Sequence, residues 1–302
     1  MKKILLSTVL SSLLLTGGLQ AKESAPKDAS VKEVNKVSVS NAKSDAKSNK
    51  ETLVQEAINS LKHAHEALLA LEKKDVKGAT DKLESALGKL EVILASKKVP
   101  ELLPIDSIVR VNEFVGTSKD VETALNTVKT LLNKNKVQEA RALMLPLQSE
   151  IDITTVSLPL GSYPDALKLA AKYVYSDELD KAKEVLSIAL STFTSITEVV
   201  PIPLVKAGDL IIASEVIAKE DKDRALIYLD GASESLKVAY ALGYVSKSET
   251  TYKVLQEQIE SVQKEIKGAN KADKIFETLK NSLKEFKEKV FTKKSSENNN
   301  SK

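Results

Sequence analysis

A small residue held at one register of a repeated helical hairpin is the strongest constraint on this chain. Four segments align on Ala79, Ala140, Ala182 and Ala225. Twelve residues earlier stand Ala67, Val128, Ala170 and Ala213, and eight earlier stand Leu71, Leu132, Val174 and Ile217. Four residues later stand Leu83, Met144, Leu186 and Leu229. Apolar residues at steps of three and four mark amphipathic helices. In the first segment the stripes are Leu53, Ala57, Leu61, Ala64, Leu68 and Leu71, then Ala79, Leu83, Ala86, Leu87, Leu90 and Ile93. Polar turns separate the helices of each pair: KKDVKG, NKNKVQE, SDELDK and KEDKDR. Small residues let two helices approach closely, and the large aliphatics flank that seam. This is tetratricopeptide logic, but the intervals of 61, 42 and 43 residues do not match its period of about 34.

A fifth hairpin follows. Tyr252, Leu255, Ile259, Val262 and Ile266 form one heptad seam, and Phe276, Leu279, Leu283, Phe286 and Val290 form another. These seams pack on each other or on the body, or they serve self-association. The expected fold is all-α: helical hairpins packed as a bundle or short irregular solenoid, ending in a coiled-coil-like hairpin. The expected boundaries are a helical-hairpin domain at 51–245, the C-terminal hairpin at 246–292 and a disordered tail at 293–302.

The ends differ from this body. Lys2 and Lys3, the apolar run 4–15, the break at Thr16-Gly17-Gly18 and Ala21 have the layout of a cleaved signal peptide over residues 1–21. The run is shorter than the roughly 20 apolar residues of a membrane span. No Cys follows it to carry a lipid, and no later segment of the sequence is apolar enough to span. The expected product is exported to the periplasm, with no membrane span after cleavage. Residues 22–50 are rich in Lys, Ser, Ala and Asn and read as a disordered linker.

Composition narrows the chemistry. The 302 residues include no Cys and no Trp, and only 4% are aromatic. Aliphatic residues and Ala must therefore build the core. Disulfides, thiolate nucleophiles, zinc–cysteine sites and iron–sulfur clusters are excluded. A net charge of +3 gives no clustered basic footprint for nucleic acid. His63 and His65, two apart on a helix, point about 200° apart and cannot share one ion. The carboxylates Asp106, Glu113, Glu150, Asp152, Glu198 and Asp209 form no pair selected by spacing, and Asp106 reads as a helix start. No nucleophile elbow, phosphate loop or dinucleotide fingerprint is present. No catalytic residue, cofactor or metal ligand is assigned.

The connections between hairpins are apolar and carry prolines: Val99 to Asp106, Leu158-Pro159-Leu160, and Val199 to Leu204. Exposed loops are ordinarily polar. These segments pack on the protein's own helix ends, or they form an oligomer interface or a groove wall. All seven tyrosines lie between residues 163 and 252, at the core boundary or on a binding surface. The candidate interface residues are Pro104, Pro159, Pro201, Ile202, Pro203, Tyr163, Tyr173 and Tyr244.

Four motifs carry a family resemblance: Leu103-Pro104-Ile105-Asp106; Leu145-Pro146-Leu147 followed by Glu150-Ile151; Leu158-Pro159-Leu160 ahead of Pro164-Asp165-Ala166; and Val200-Pro201-Ile202-Pro203-Leu204. Over residues 51–245 the chain resembles the YfdX family. The resemblance implies an exported, helical bacterial protein that tends to form homo-oligomers and is loosely associated with acid or envelope stress. It implies no established catalytic residue. The function expected is non-enzymatic, through protein–protein contact with copies of itself or with another periplasmic protein. The alternatives are an acid-responsive chaperone, or a small-ligand carrier with a pocket in the Tyr-rich half.

Overall fold

Small residues close the hairpins as their register requires. The structure is a computed structural model that describes residues 26, 28–48, 54–95, 100–246, 250–268 and 273–299. The proposed signal peptide, 1–21, lies outside the described residues. The order is α1 (Val31–Ser48), α2 (Gln55–Glu72), α3 (Val76–Leu94), β1 (Leu102–Asn112), α4 (Ser118–Asn133), α5 (Val137–Met144) and β2 (Glu150–Pro159). Then come α6 (Tyr163–Tyr175), α7 (Leu179–Ala189), β3 (Thr194–Pro201), α8 (Ile202–Ile217), α9 (Lys222–Ala241), α10 (Thr250–Lys267) and α11 (Asp273–Asn299). The fold is predominantly helical, as expected, with one small sheet.

The chain divides into two compact units rather than one body over 51–245. One unit comprises 50–108 and 154–197. In it the hairpins α2–α3 and α6–α7 cover each other, α3 against α6 and α2 against α7. Their core is the expected register: Ala67, Leu71, Ala79, Leu83, Ala170, Val174, Ala182 and Leu186. Ser60, on the same face, donates to the Ala86 carbonyl at 2.8 Å, so its hydroxyl does not interrupt the seam.

The other unit comprises the described residues of 1–49, 109–153 and 198–302. Its centre is α8, where Ile202, Leu204, Ala207, Gly208, Leu210, Ile211, Ser214 and Ile217 are buried. A helix apolar around its circumference must be covered on several sides, and α9, α1 and α11 do so. The C-terminal seams close inside this unit, with Leu255, Ile259, Val262, Ile266, Phe276, Leu279, Leu283 and Phe286 in one core with α8 and α9.

Two segments expected to be disordered are helical. Within 22–50, residues 31–48 form α1. Ser30 and Glu33 make a reciprocal capping box, Ser30 N donating to Glu33 Oε2 at 2.7 Å and Glu33 N to Ser30 Oγ at 3.3 Å. Val34, Ser38, Ala42 and Ala46 recur every fourth residue and are buried. Average composition hides such a narrow face; the capping signal and the four-residue step carry it. At the other end α11 continues through 293–299, which were assigned to the tail.

Apart from Ile202, Pro203 and Leu204, which open α8, the described proline connections are mostly strand. They form a three-stranded sheet in the order β1-β2-β3. β-Branched residues alternate through them, as in Ile105, Val109 and Val111 of β1 and Ile151 and Ile153 of β2. The prolines sit where a sheet tolerates a missing donor. Pro104 lies in the edge strand β1, and Pro159 and Pro201 end β2 and β3. Asp106 therefore caps no helix; its carboxylate accepts from Ser107 N at 2.8 Å within β1.

The first three hairpins share a turn. Lys74, Asn135 and Asp177 adopt φ of 60°, 58° and 58°, at the same 61- and 42-residue intervals as the register. In each, the next residue's N–H reaches back to a helix carbonyl: Asp75 to Ala70, Lys136 to Leu131, Glu178 to Tyr173. This is a Schellman closure, which favours glycine. A side chain in the left-handed region costs about 1 kcal/mol, less for Asn. Lys74→Gly and Asp177→Gly should therefore each raise stability by about 1 kcal/mol, and Asn135→Gly by less, in urea unfolding; a loss at Lys74 would contradict the turn.

Candidate functional site

The eight residues nominated from the sequence are largely taken up by the fold. In the 50–108/154–197 unit, Pro104 and Tyr163 are buried, while Pro159 and Tyr173 are half-buried. The Pro104 carbonyl accepts from Val54 N at 3.0 Å. Burial pushes the Tyr163 phenol up to about 12. Tyr173 holds Lys181 over its ring at 5.5 Å. In the other unit Pro201, Ile202, Pro203 and Tyr244 are all buried. Ile202 packs with Ala42, Ala46, Ile151 and Val200. The Tyr244 hydroxyl accepts from Ser149 N at 2.9 Å, and desolvation pushes its pKa up, with Glu150 and Asp152 adding to the rise. Six of the eight are thus buried within the protein's own packing, and Pro159 and Tyr173 are half-buried.

The polar candidates do not build a reaction centre either. His63 is half-buried and His65 exposed. His63 Nδ1 lies 3.3 Å from Glu66 Oε2, and Lys82 Nζ lies 2.7 Å from the same oxygen. Lys82 and then His63 hold the Glu66 carboxyl below its ordinary range. Glu113 pairs with Lys206 at 2.7 Å. Glu150 accepts from Gln148 Nε2 at 3.0 Å. Among the described residues, no group of three or more His, Asp or Glu is placed to hold a metal ion, and no helix is long and apolar enough to cross a membrane.

One surface stands out, and it lies on the second hairpin, α4–α5. Its small-residue seam is closed, since Val121, Val128 and Ala140 are buried. Its flanking aliphatics are not covered. At the register of Leu132 and Met144, the other three hairpins carry Leu71, Leu83, Val174, Leu186, Ile217 and Leu229, none more than 4% exposed. Leu132 is 46% exposed and Met144 50%. Leu125, two turns before Leu132, and Val137, two turns before Met144, are also exposed, at 40% and 55%. Burying a side chain of this size fully is worth about 1.5–3 kcal/mol, so their exposed portions favour association.

The cause lies in how the hairpin is held. It is fixed at its start by α9: Glu234 Oε1 accepts from Ser118 N at 2.7 Å, and α4 lies against α9. A capping box sets the first turn, with Thr117 N and Oγ1 donating to Asp120 Oδ2 at 2.8 and 2.7 Å. Those hydrogen bonds hold the Asp120 carboxyl below its usual range. The helix α8, whose main partners are α9, α1 and α11, gives α5 no second layer. The aligned register places Leu132 and Met144 in the sequence, but only the packing of the other hairpins reveals which pair lacks a cover.

A second unusual group lies on α11. Lys287 is buried, 8% exposed, with its ammonium where a Cβ at Gly208 would come within 2.7 Å. Burial pushes Lys287 below the ordinary lysine range, against the opposing pull of Asp209. The folded protein thus binds fewer protons than the unfolded chain between that lowered pKa and 10.5, and stability rises with pH through this window. Below the window the penalty is fully present. Lys287→Met should raise stability at pH 7, and the gain should shrink as pH approaches 10. Urea midpoints at both pH values check this; a destabilised variant would contradict it.

The sequence model described as "YfdX protein" matches residues 57–199. This stretch begins within α2, runs through the first three hairpins and ends before α8. A solved structure of YfdX from Salmonella Typhi is 13% identical, with 50% of this chain and 93% of that chain covered and a TM-score of 0.35. No curated protein matches.

Proposed function

Taking as premise that residues 57–199 make this chain a member of the YfdX family, we propose that it is a non-enzymatic exported protein of the periplasm that works by protein–protein contact as a homo-oligomer, in acid or envelope stress. The observation that carries this function is the uncovered apolar face of α4–α5. Leu125 and Leu132 on α4, and Val137 and Met144 on α5, are exposed at helical spacing on a hairpin whose register is buried elsewhere. Isolated exposed apolar residues are ordinary, whereas a contiguous group on one element is characteristic of an interaction surface.

One observation favours an acid-responsive chaperone as the second reading. The apolar helix α8 is partly sheathed by α1, in which Ser, Asn and Val, residues of weak helical preference, are frequent. Its release would uncover Leu210 and neighbouring side chains. Acid neutralises carboxylates and leaves the basic groups in excess, which loosens compact states by self-repulsion.

The molar mass of residues 22–302, by size exclusion with light scattering at pH 7 and pH 4.5, tests both. The contact function predicts a mass above that of the monomer at pH 7. A monomer at both pH values would overturn it. A mass that changes in acid, together with client protection, would favour the chaperone.

A further inference from the structure

Resting on the contact function proposed above, we infer that the α4–α5 face is covered by the same face of a second copy, with the two α4 helices antiparallel about a two-fold axis beside Leu125. The occupant follows from the register. In the 50–108/154–197 unit, the equivalent aliphatics are buried by another hairpin of the same kind, α2–α3 by α6–α7. In the unit that holds α4–α5, the other repeat hairpin, α8–α9, is engaged with α1, α10 and α11. A second copy supplies an identical uncovered hairpin, with small residues already closed beneath a shell of large aliphatics. An isologous pairing also satisfies both copies with one contact and stops growth at a closed dimer.

Charge complementarity selects the direction. On α4, Glu122 and Lys129 stand two helical turns apart, flanking the stripe of Leu125 and Leu132. Both are exposed, and neither makes an ion pair within the described residues. Residues seven apart share a face, and the midpoint of this pair falls beside Leu125. Antiparallel pairing about that point sets Glu122 of each copy opposite Lys129 of the other. Parallel pairing would set like charge against like. Leu132 and Met144 of each copy then lie beyond the charged pair, and Val137 extends the covered area along α5.

The test uses residues 22–302 in light scattering and analytical ultracentrifugation at low salt. Glu122→Lys and Lys129→Glu each place like charges across the axis and should each weaken self-association about tenfold or more. The double variant restores opposite charges and should recover the parent affinity. An equimolar mixture of the two single variants should associate better than either alone, because every cross-axis pair is then Lys with Glu. These are exposed sites, so the fold is undisturbed; circular dichroism verifies it. Leu132→Asp with Met144→Asp should abolish the dimer. If the parent chain is oligomeric and none of these variants changes its affinity, the surface assigned is wrong while the contact function stands. A parent chain that is monomeric at every concentration overturns both. Single variants that weaken association without rescue in the double variant or the mixture overturn the antiparallel two-fold.

Discussion

Close approach of two helices over small side chains is the constraint on which the rest of the structure depends. Ala79, Ala140, Ala182 and Ala225 are all buried at the same register of their hairpins. A larger side chain there would force the pair apart, and overpacking of this kind costs about 1–3 kcal/mol. The narrow seam has a consequence. Two helices drawn together over alanine leave their leucines on the outer rim, so each hairpin presents an apolar edge that it cannot bury alone. Every repeat therefore needs a cover.

The hairpins meet that need differently. In one unit two hairpins cover each other. In the other, α8–α9 is covered by elements outside the repeat: the N-terminal helix α1, brought close by Val31 against Gly231 and by the Tyr228 hydroxyl donating to the Ala29 carbonyl, and the C-terminal pair α10–α11. Gly208 allows α11 to come near enough for Lys287 to lie against the backbone of α8. The α4–α5 hairpin receives support from α9 but no layer over its rim. Its exposed leucines are thus the residue of a packing problem solved elsewhere in the same chain, and an association surface is the physical answer to it.

Much of the helical body is legible in the sequence because its signals are periodic and local. The alanine register and the heptad seams of α10 and α11 follow from spacing. The strands are hard to read because each carries a proline, with Pro104 in an edge strand and Pro159 and Pro201 at strand ends. Helix α1 was missed because lysine and serine dominate its composition, while its buried stripe is only one residue in four. Six of the eight nominated interface residues are buried within the chain. An apolar connection or a tyrosine signals burial, and sequence does not say whether the burial is within the chain or against another. Leu132 and Met144 were present in the aligned register, yet their exposure depends on the absence of a covering hairpin, a tertiary fact that no local pattern encodes.

The central claim is that the α4–α5 face meets itself across a two-fold axis. Because the chain contains no cysteine, a single Leu125→Cys substitution gives a thiol with one possible partner, its own copy. Disulfide formation requires Cα atoms within about 7 Å, so the reaction reads proximity directly. Under mild oxidation the covalent dimer should form rapidly and nearly completely, while a control thiol at exposed Val92 stays reduced. Equal reactivity at the two sites, or none at Leu125→Cys under conditions where the protein is oligomeric, would contradict the two-fold pairing.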